Sequence, residues 1–186
     1  MPLYFPLEDP TPECKAHFES TPWCAAIFND PTLQAFTALE AQRNPHNTFM
    51  TKTLATEDTI IYWQSFRKLG AQYSHIVTVL SIGGGLNGHV DTCHGGFIGV
   101  VADSALGYAA ECERPNDKAS MTAYLKINYK KPVRAPSKIL CTAKVYRKEG
   151  RKMWISGTIE DGEGTILTTT EALFLVVEPV KPVEKL

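Results

Sequence analysis

Residues 93–112 read CHGGFIGVVADSALGYAAEC, and the fold turns on this stretch. From Phe97 it runs sixteen residues without proline and with only two glycines, and its alanine content favours helix over strand. Phe97, Ile98, Val100, Val101, Ala102, Ala105, Leu106 and Ala109 fall around nearly the whole helical circumference. A helix apolar on almost every side is buried. The sequence therefore predicts one long central helix starting at about Gly95.

Working outward, a β-rich segment from Tyr73 to Ile82 leads through the loop GGGLNGHVDTCHGG into that helix. After it come four stretches rich in β-branched and aromatic residues: MTAYLKINY, KILCTAKVYRK, RKMWISGTIE and TILTTTEALFLVVE. Turn signals at Pro132 to Pro136, Glu149-Gly150 and Asp161 to Gly164 separate them, which predicts a four-stranded antiparallel meander. With the strand before the loop, the sheet is long enough to wrap around one helix, an α+β arrangement. Residues 1–47 carry short helical patterns at 16–20, 23–28 and 33–41, broken by Pro22, Pro31 and Pro45. They are expected to form a helical extension on a main domain of residues 48–186. Thr56 followed by Glu57 and Asp58 reads as a helix N-terminus, and Ile60, Trp63, Phe66 and Leu69 recur at helical spacing until Gly70. That pattern predicts an amphipathic helix.

The bulk properties narrow the partners. A chain of 186 residues, 44% hydrophobic, can bury one substantial core. Its formal net charge of -1 provides no field directed at nucleic acid or an acidic membrane, so a small molecule is the expected partner. Runs such as IVTVLSI and ALFLVV fall far short of the roughly 20 residues of a membrane span. The amino terminus has neither the basic and apolar regions of a signal peptide nor the Arg-rich character of a transit peptide, and a cytoplasmic location is expected. Cys14, Cys24, Cys93, Cys112 and Cys141 are scattered without a CxxC pair and read as reduced, packed thiols.

Chemistry concentrates at the central helix. Asp103 stands in its middle, where aspartate has poor propensity and an uncompensated charge is costly. It serves either structure, by capping a loop or pairing with a lysine, or function, as a general base or nucleophile. His94-Gly95-Gly96 begins the helix, and two glycines there either form a tight turn or expose backbone N–H groups to a ligand carbonyl. His94 either satisfies the loop or binds that carbonyl. Gly96 and Asp103 are seven residues apart, about 10 Å along the axis, so one helix does not easily place both on one carbonyl. Two antiparallel copies in a dimer do.

These residues also carry a family resemblance. CHGGFIGVVADSALGYAA resembles the HGG-x6-D helix signature of PaaI-like or THEM-type acyl-CoA thioesterases of the hotdog superfamily, and MTAYLKINYKKPV is similar to their following strand. The likeness runs from about residue 80 to 178. It implies a hotdog fold, an antiparallel sheet wrapped around one long central helix. It further implies Asp103 as catalytic carboxylate, Gly95 as main oxyanion donor and Thr122 as the hydroxyl orienting water or the carboxylate. Asn87, beside Gly88 six residues before His94, is by the same resemblance a substrate-binding candidate.

Other motifs carry less. Gly83-x-Gly85-x-x-Gly88 follows a predicted strand as a dinucleotide fingerprint does, but the residues after it read as loop rather than helix. His89, Asp91, Cys93 and His94 match no standard metal spacing. Cys93 lacks a base other than its neighbour, Ser104 reads as bonded to its own helix, and no GxSxG elbow is present. Lys130, Lys131 and Arg134 form either a solvated face or a cradle for the phosphates of a CoA ester, as do the basic residues of the 147–152 hairpin. The expectation is a homodimer, or dimer of dimers, that hydrolyses an acyl-CoA or carrier-bound thioester without cofactor or metal. The alternatives are a hotdog hydratase, dehydratase or product-release enzyme, and a hotdog protein that binds acyl groups without catalysis.

Overall fold

The computed structural model describes residues 8–36 and 47–179. Nine strands and three α-helices follow in the order α1 (Pro12–Glu19), α2 (Pro22–Phe28), β1 (Leu33–Phe36), β2 (Ile60–Lys68), β3 (His75–Ile82), β4 (Asn87–His89), β5 (Thr92–Cys93), α3 (Gly95–Glu111), β6 (Ala119–Tyr129), β7 (Ser137–Glu149), β8 (Lys152–Glu160) and β9 (Ile166–Val177). Seven strands make one antiparallel sheet in the order β1-β2-β3-β7-β8-β9-β6, and β4 pairs with β5 beside it. The architecture is α+β, with α3 as the long central helix of a hotdog fold.

The strands pack on α3 through alternate residues. On β8, Met153, Ile155 and Ile159 are fully buried and meet Ile98, Val101, Ala105 and Leu106 of α3 in the main core. At the intervening inward position a Cβ on Gly157 would run into the Thr142 carbonyl and stand 3.2 Å from Leu106. The opposite face of the sheet is covered as well. Phe18, Cys14 and Cys24 of the first two helices pack on Phe66 and Val79 in a second cluster. Lys138 fastens these helices by donating to the His17 carbonyl and to the Ser20 and Thr21 hydroxyls at 2.7–2.9 Å.

Three expectations are corrected here. The amphipathic helix over 56–70 is strand β2. Its apolar residues belong to two buried faces: Tyr62 and Phe66 pack on the α1–α2 cluster, while Ile60 and Trp63 pack on the α3 side. A register shift between Ile60 and Tyr62 adds to the false period of three. Thr56 is not a helix cap; its hydroxyl meets that of Thr59 at 2.7 Å in the turn entering β2. Gly70 adopts φ +72° in the hairpin between β2 and β3. Secondly, Leu33–Phe36 of the 33–41 helical pattern is strand β1, an edge of the sheet paired with β2, and 37–41 lie outside the described residues. Thirdly, the four strands after α3 are not a simple meander: β7, β8 and β9 are, but β6 crosses to the far edge beside β9.

Candidate active site

The start of α3 is held from three sides. The His94 N–H donates to the Leu86 carbonyl at 2.8 Å and the Cys93 N–H to Val133 at 2.8 Å, and β5 bridges to Arg134. The glycines of the preceding loop serve these close approaches. A Cβ on Gly85 would lie 2.7 Å from the Asp58 carbonyl, and one on Gly88 would lie 2.9 Å from the His94 ring. Packing thus accounts for the Gly83-x-Gly85-x-x-Gly88 pattern.

His94 is the N-cap of α3. Its Nδ1 accepts from the Gly96 N–H at 2.9 Å, which places the ring proton of a neutral imidazole on Nε2. The Gly96 donor is thereby occupied. Gly95, the first helical residue, keeps an N–H with no acceptor among the described residues. The Gly95 carbonyl accepts from the Tyr129 hydroxyl at 2.8 Å, and the tyrosine ring lies 3.6 Å from where a Gly95 Cβ would stand. Tyr129 was missed as a site residue, although it ends the INY segment quoted above. Its side chain locks the helix start in place and walls one side of it.

Asp103 is only partly buried, and α3 is not covered all round. Gly96, Gly99, Val100, Asp103, Ser104, Gly107 and Glu111 recur at intervals of three and four and form an open stripe. The Thr122 hydroxyl donates to Asp103 Oδ1 at 2.8 Å. Thr122 lies at a register shift between Thr122 and Tyr124 on β6, a bulge of the kind that re-aims a side chain beside a site. Two clefts meet at Asp103 and Ser104. One, of 540 Å³, extends toward Gly107, Glu111, Arg114, Lys118 and Ser120; the other, of 400 Å³, extends toward Phe49, Met50, Gly96 and Val100. Both fall within the ~300–1,000 Å³ usual for small-molecule sites.

The other candidates lie apart from these clefts. Asn87 is exposed on β4, paired with Cys93, and lines neither cleft. Lys130, Lys131 and Arg134 are exposed and line neither cleft; the Lys130 and Lys131 N–H groups share the Leu167 carbonyl, and Arg134 reaches Thr92 at 3.5 Å. In the 147–152 hairpin Arg147 pairs with Glu149 at 2.6 Å and stacks on Trp154, and Lys148 pairs with Glu113 at 2.9 Å. Burial pushes the Cys93 thiol up to about 11, so at neutral pH it is a thiol rather than a thiolate nucleophile. Among the described residues, no group of three or more His, Cys, Asp and Glu is placed to hold a metal. No described helix is long and apolar enough to cross a membrane.

The segment that holds these residues is similar to known proteins. The family model described as Thioesterase superfamily matches residues 91–168, from just before β5 into β9. Acyl-coenzyme A thioesterase THEM4 of Mus musculus is 38% identical over 90 residues, 48% of this chain and 37% of that protein. The chain covers 37–45% of the length of the curated relatives reported from mouse, rat and cattle. Two solved structures share the fold. BH2602 from Bacillus halodurans, determined with CoA, has a TM-score of 0.51 at 22% identity, covering 54% of this chain and 66% of that one. The E. coli PaaI protein has a TM-score of 0.51 at 17% identity, covering 55% and 72%. With an antiparallel sheet wrapped on α3, the chain has a hotdog fold, and its segment 91–168, which runs through HGG, Asp103 and Thr122, is similar to the thioesterase superfamily.

Proposed function

We propose that this protein hydrolyses an acyl thioester with Asp103 as the catalytic carboxylate. The observation that carries the proposal is the Thr122–Asp103 hydrogen bond of 2.8 Å where two clefts meet. It fixes one carboxylate oxygen and leaves the other for water or for the thioester carbon. Asp103 then acts as a base on water or attacks the carbonyl itself, and the Gly95 N–H receives the charge that develops on oxygen. A CoA ester is the proposed substrate. The mouse relative is named as an acyl-CoA thioesterase, and the Bacillus neighbour was determined with CoA, which supports that choice.

A homodimer belongs to the same proposal. Gly95 and Asp103 are eight residues apart, about 12 Å along one helix, too far to hold one carbonyl together. Among the described residues β6 is an edge strand, eleven residues long and paired on one side only, with Met121, Tyr124 and Tyr129 exposed along it. Such an edge invites pairing. A second copy docked there, with its α3 antiparallel, brings its own Gly95 toward this Asp103. The five cysteines, none disulfide-bonded, suit a reducing compartment such as the cytoplasm.

The test is thiol release from acetyl-, octanoyl- and phenylacetyl-CoA by the purified chain and by Asp103→Asn. Asn is nearly isosteric and still accepts the Thr122 proton, so the fold is expected to survive. Loss of the carboxylate is expected to lower kcat on the order of 10²–10⁴-fold. A folded Asn variant with wild-type turnover refutes the assignment of Asp103.

A further inference from the structure

The two clefts that meet at Asp103 differ in chemistry. The larger has Tyr108 and Phe174 in its lining but also the charged or polar Glu111, Arg114, Lys118 and Ser120. An alkyl chain laid there would strip water from charged groups without offering them a hydrogen bond, which is unfavourable. The smaller cleft is lined on one side by Phe49 and Met50 and on the other by Gly96, Gly99 and Val100 of α3. Gly96 and Gly99 present backbone there instead of side chains.

Phe49 opens a π-helical turn, Phe49–Thr53, closed by the Leu54 N–H on the Phe49 carbonyl at 3.0 Å. Turns of this kind are rare and are found disproportionately at functional sites. Met50 anchors the turn in the main core at 3% exposure, whereas Phe49 beside it remains 51% exposed. A half-exposed phenylalanine in a cleft that ends at a carboxylate is surface available to an apolar ligand. The turn also lies outside residues 91–168 and so outside the segment the chain shares with the superfamily at large.

From this we infer that Phe49 is a specificity-determining residue. It walls the cleft that takes the apolar acyl group of the substrate, while the polar cleft on the other side of Asp103 is left for the polar part of the thioester. The inference rests on the proposed thioesterase activity and names the substrate class of that same site: apolar acyl chains over short or charged ones.

The experiment compares kcat/KM for octanoyl-CoA and acetyl-CoA in wild type, Phe49→Ser and Phe49→Leu, with thermal melts to confirm folding. The wild-type series comes first: no hydrolysis of any ester would refute the thioesterase reading itself and leave the inference without a basis. Given turnover, Phe49→Ser is expected to lower the octanoyl-to-acetyl ratio of kcat/KM roughly tenfold, the lower end of what apolar pocket contacts discriminate. Phe49→Leu, which keeps an apolar wall, is expected to hold the ratio within about threefold of wild type on the same scale. An unchanged ratio in a folded Phe49→Ser variant overturns the inference. So does an equal fall for both esters, which would place the shared CoA arm, not the acyl chain, against Phe49.

Discussion

Replacing Thr122 by Val tests the link between β6 and the carboxylate without disturbing shape. The substitution exchanges a hydroxyl for a methyl on a strand position, where valine is well tolerated. What is lost is one O–H donor to Asp103 at 2.8 Å. A hydrogen bond to a charged group contributes about 1.5–3 kcal/mol. Thr122 is exposed and Asp103 half-buried, so water replaces part of that, and about 1–2 kcal/mol is the appropriate share. If that share acts on the transition state, kcat falls roughly 5- to 30-fold, at about 1.36 kcal/mol per decade. KM is expected to stay near wild type, because a carboxylate held for reaction does not bind the ground state. The assay is steady-state thiol release at saturating and limiting acyl-CoA, with Thr122→Ser alongside. Serine keeps the donor and is expected to recover most of the rate. Refutation would be a Thr122→Val enzyme within about twofold of wild type, since about 0.4 kcal/mol is less than any useful positioning effect.

Two further predictions concern assembly and pH. A chain carrying Asp103→Ala and a chain carrying Gly95→Leu are each expected to be inactive, and a mixed dimer is expected to regain activity, because one of its two sites receives both defects and the other neither; mixed dimers recovered through two different tags but inactive would exclude the cross-subunit site. Stability is expected to fall on acidification from pH 7.5 to 5.5, followed by thermal melts: burial, and then Lys138, lower the pKa of His17, and burial with Lys68 and Lys144 lowers that of His75. The fold favours the neutral form of both imidazoles, so their contribution is complete above the ordinary value near 6.5 and is lost as pH drops through it toward the lowered values. Because His17 Nε2 also meets the Ser81 hydroxyl at 2.9 Å, His17→Gln is expected to flatten part of the slope, and an unaltered slope would exclude His17 as a contributor.

The helix α3 and strands β7 to β9 were legible in the sequence because each buries a distinct pattern: an all-round apolar helix, then alternating strands with turn signals between them. β2 was not, for the reason that makes it part of the core. It is covered by α3 on one face and by α1 and α2 on the other, so the period of two is absent and apolar residues from both faces merge into a run that imitates a helix. The place of β6 was equally hidden, since sequence order favours neighbours and nothing in MTAYLKINY specifies pairing with β9 across two intervening strands.

The site divides the same way. His94, Gly95 and Asp103 lie on one continuous element, so their relative positions follow from helix geometry and could be read directly. Thr122 was placed by resemblance alone, and its contact with Asp103 depends on a bulge and a cross-sheet register that no local pattern encodes. Tyr129 and Phe49 depend on long-range packing in the same way: one reaches back 34 positions to the Gly95 carbonyl, and the other meets Asp103 across a cleft. The open stripe on α3 explains why Asp103 is only partly buried although the helix reads as apolar on almost every side. Counting apolar residues around the wheel gives no weight to Gly96, Gly99 and Gly107, yet with Asp103 and Ser104 they leave one face of the helix uncovered within a single chain. Among the described residues a half-open helix face lies beside an edge strand paired on one side only, and both are accounted for if that face is where substrate and a second copy of the chain meet, as proposed.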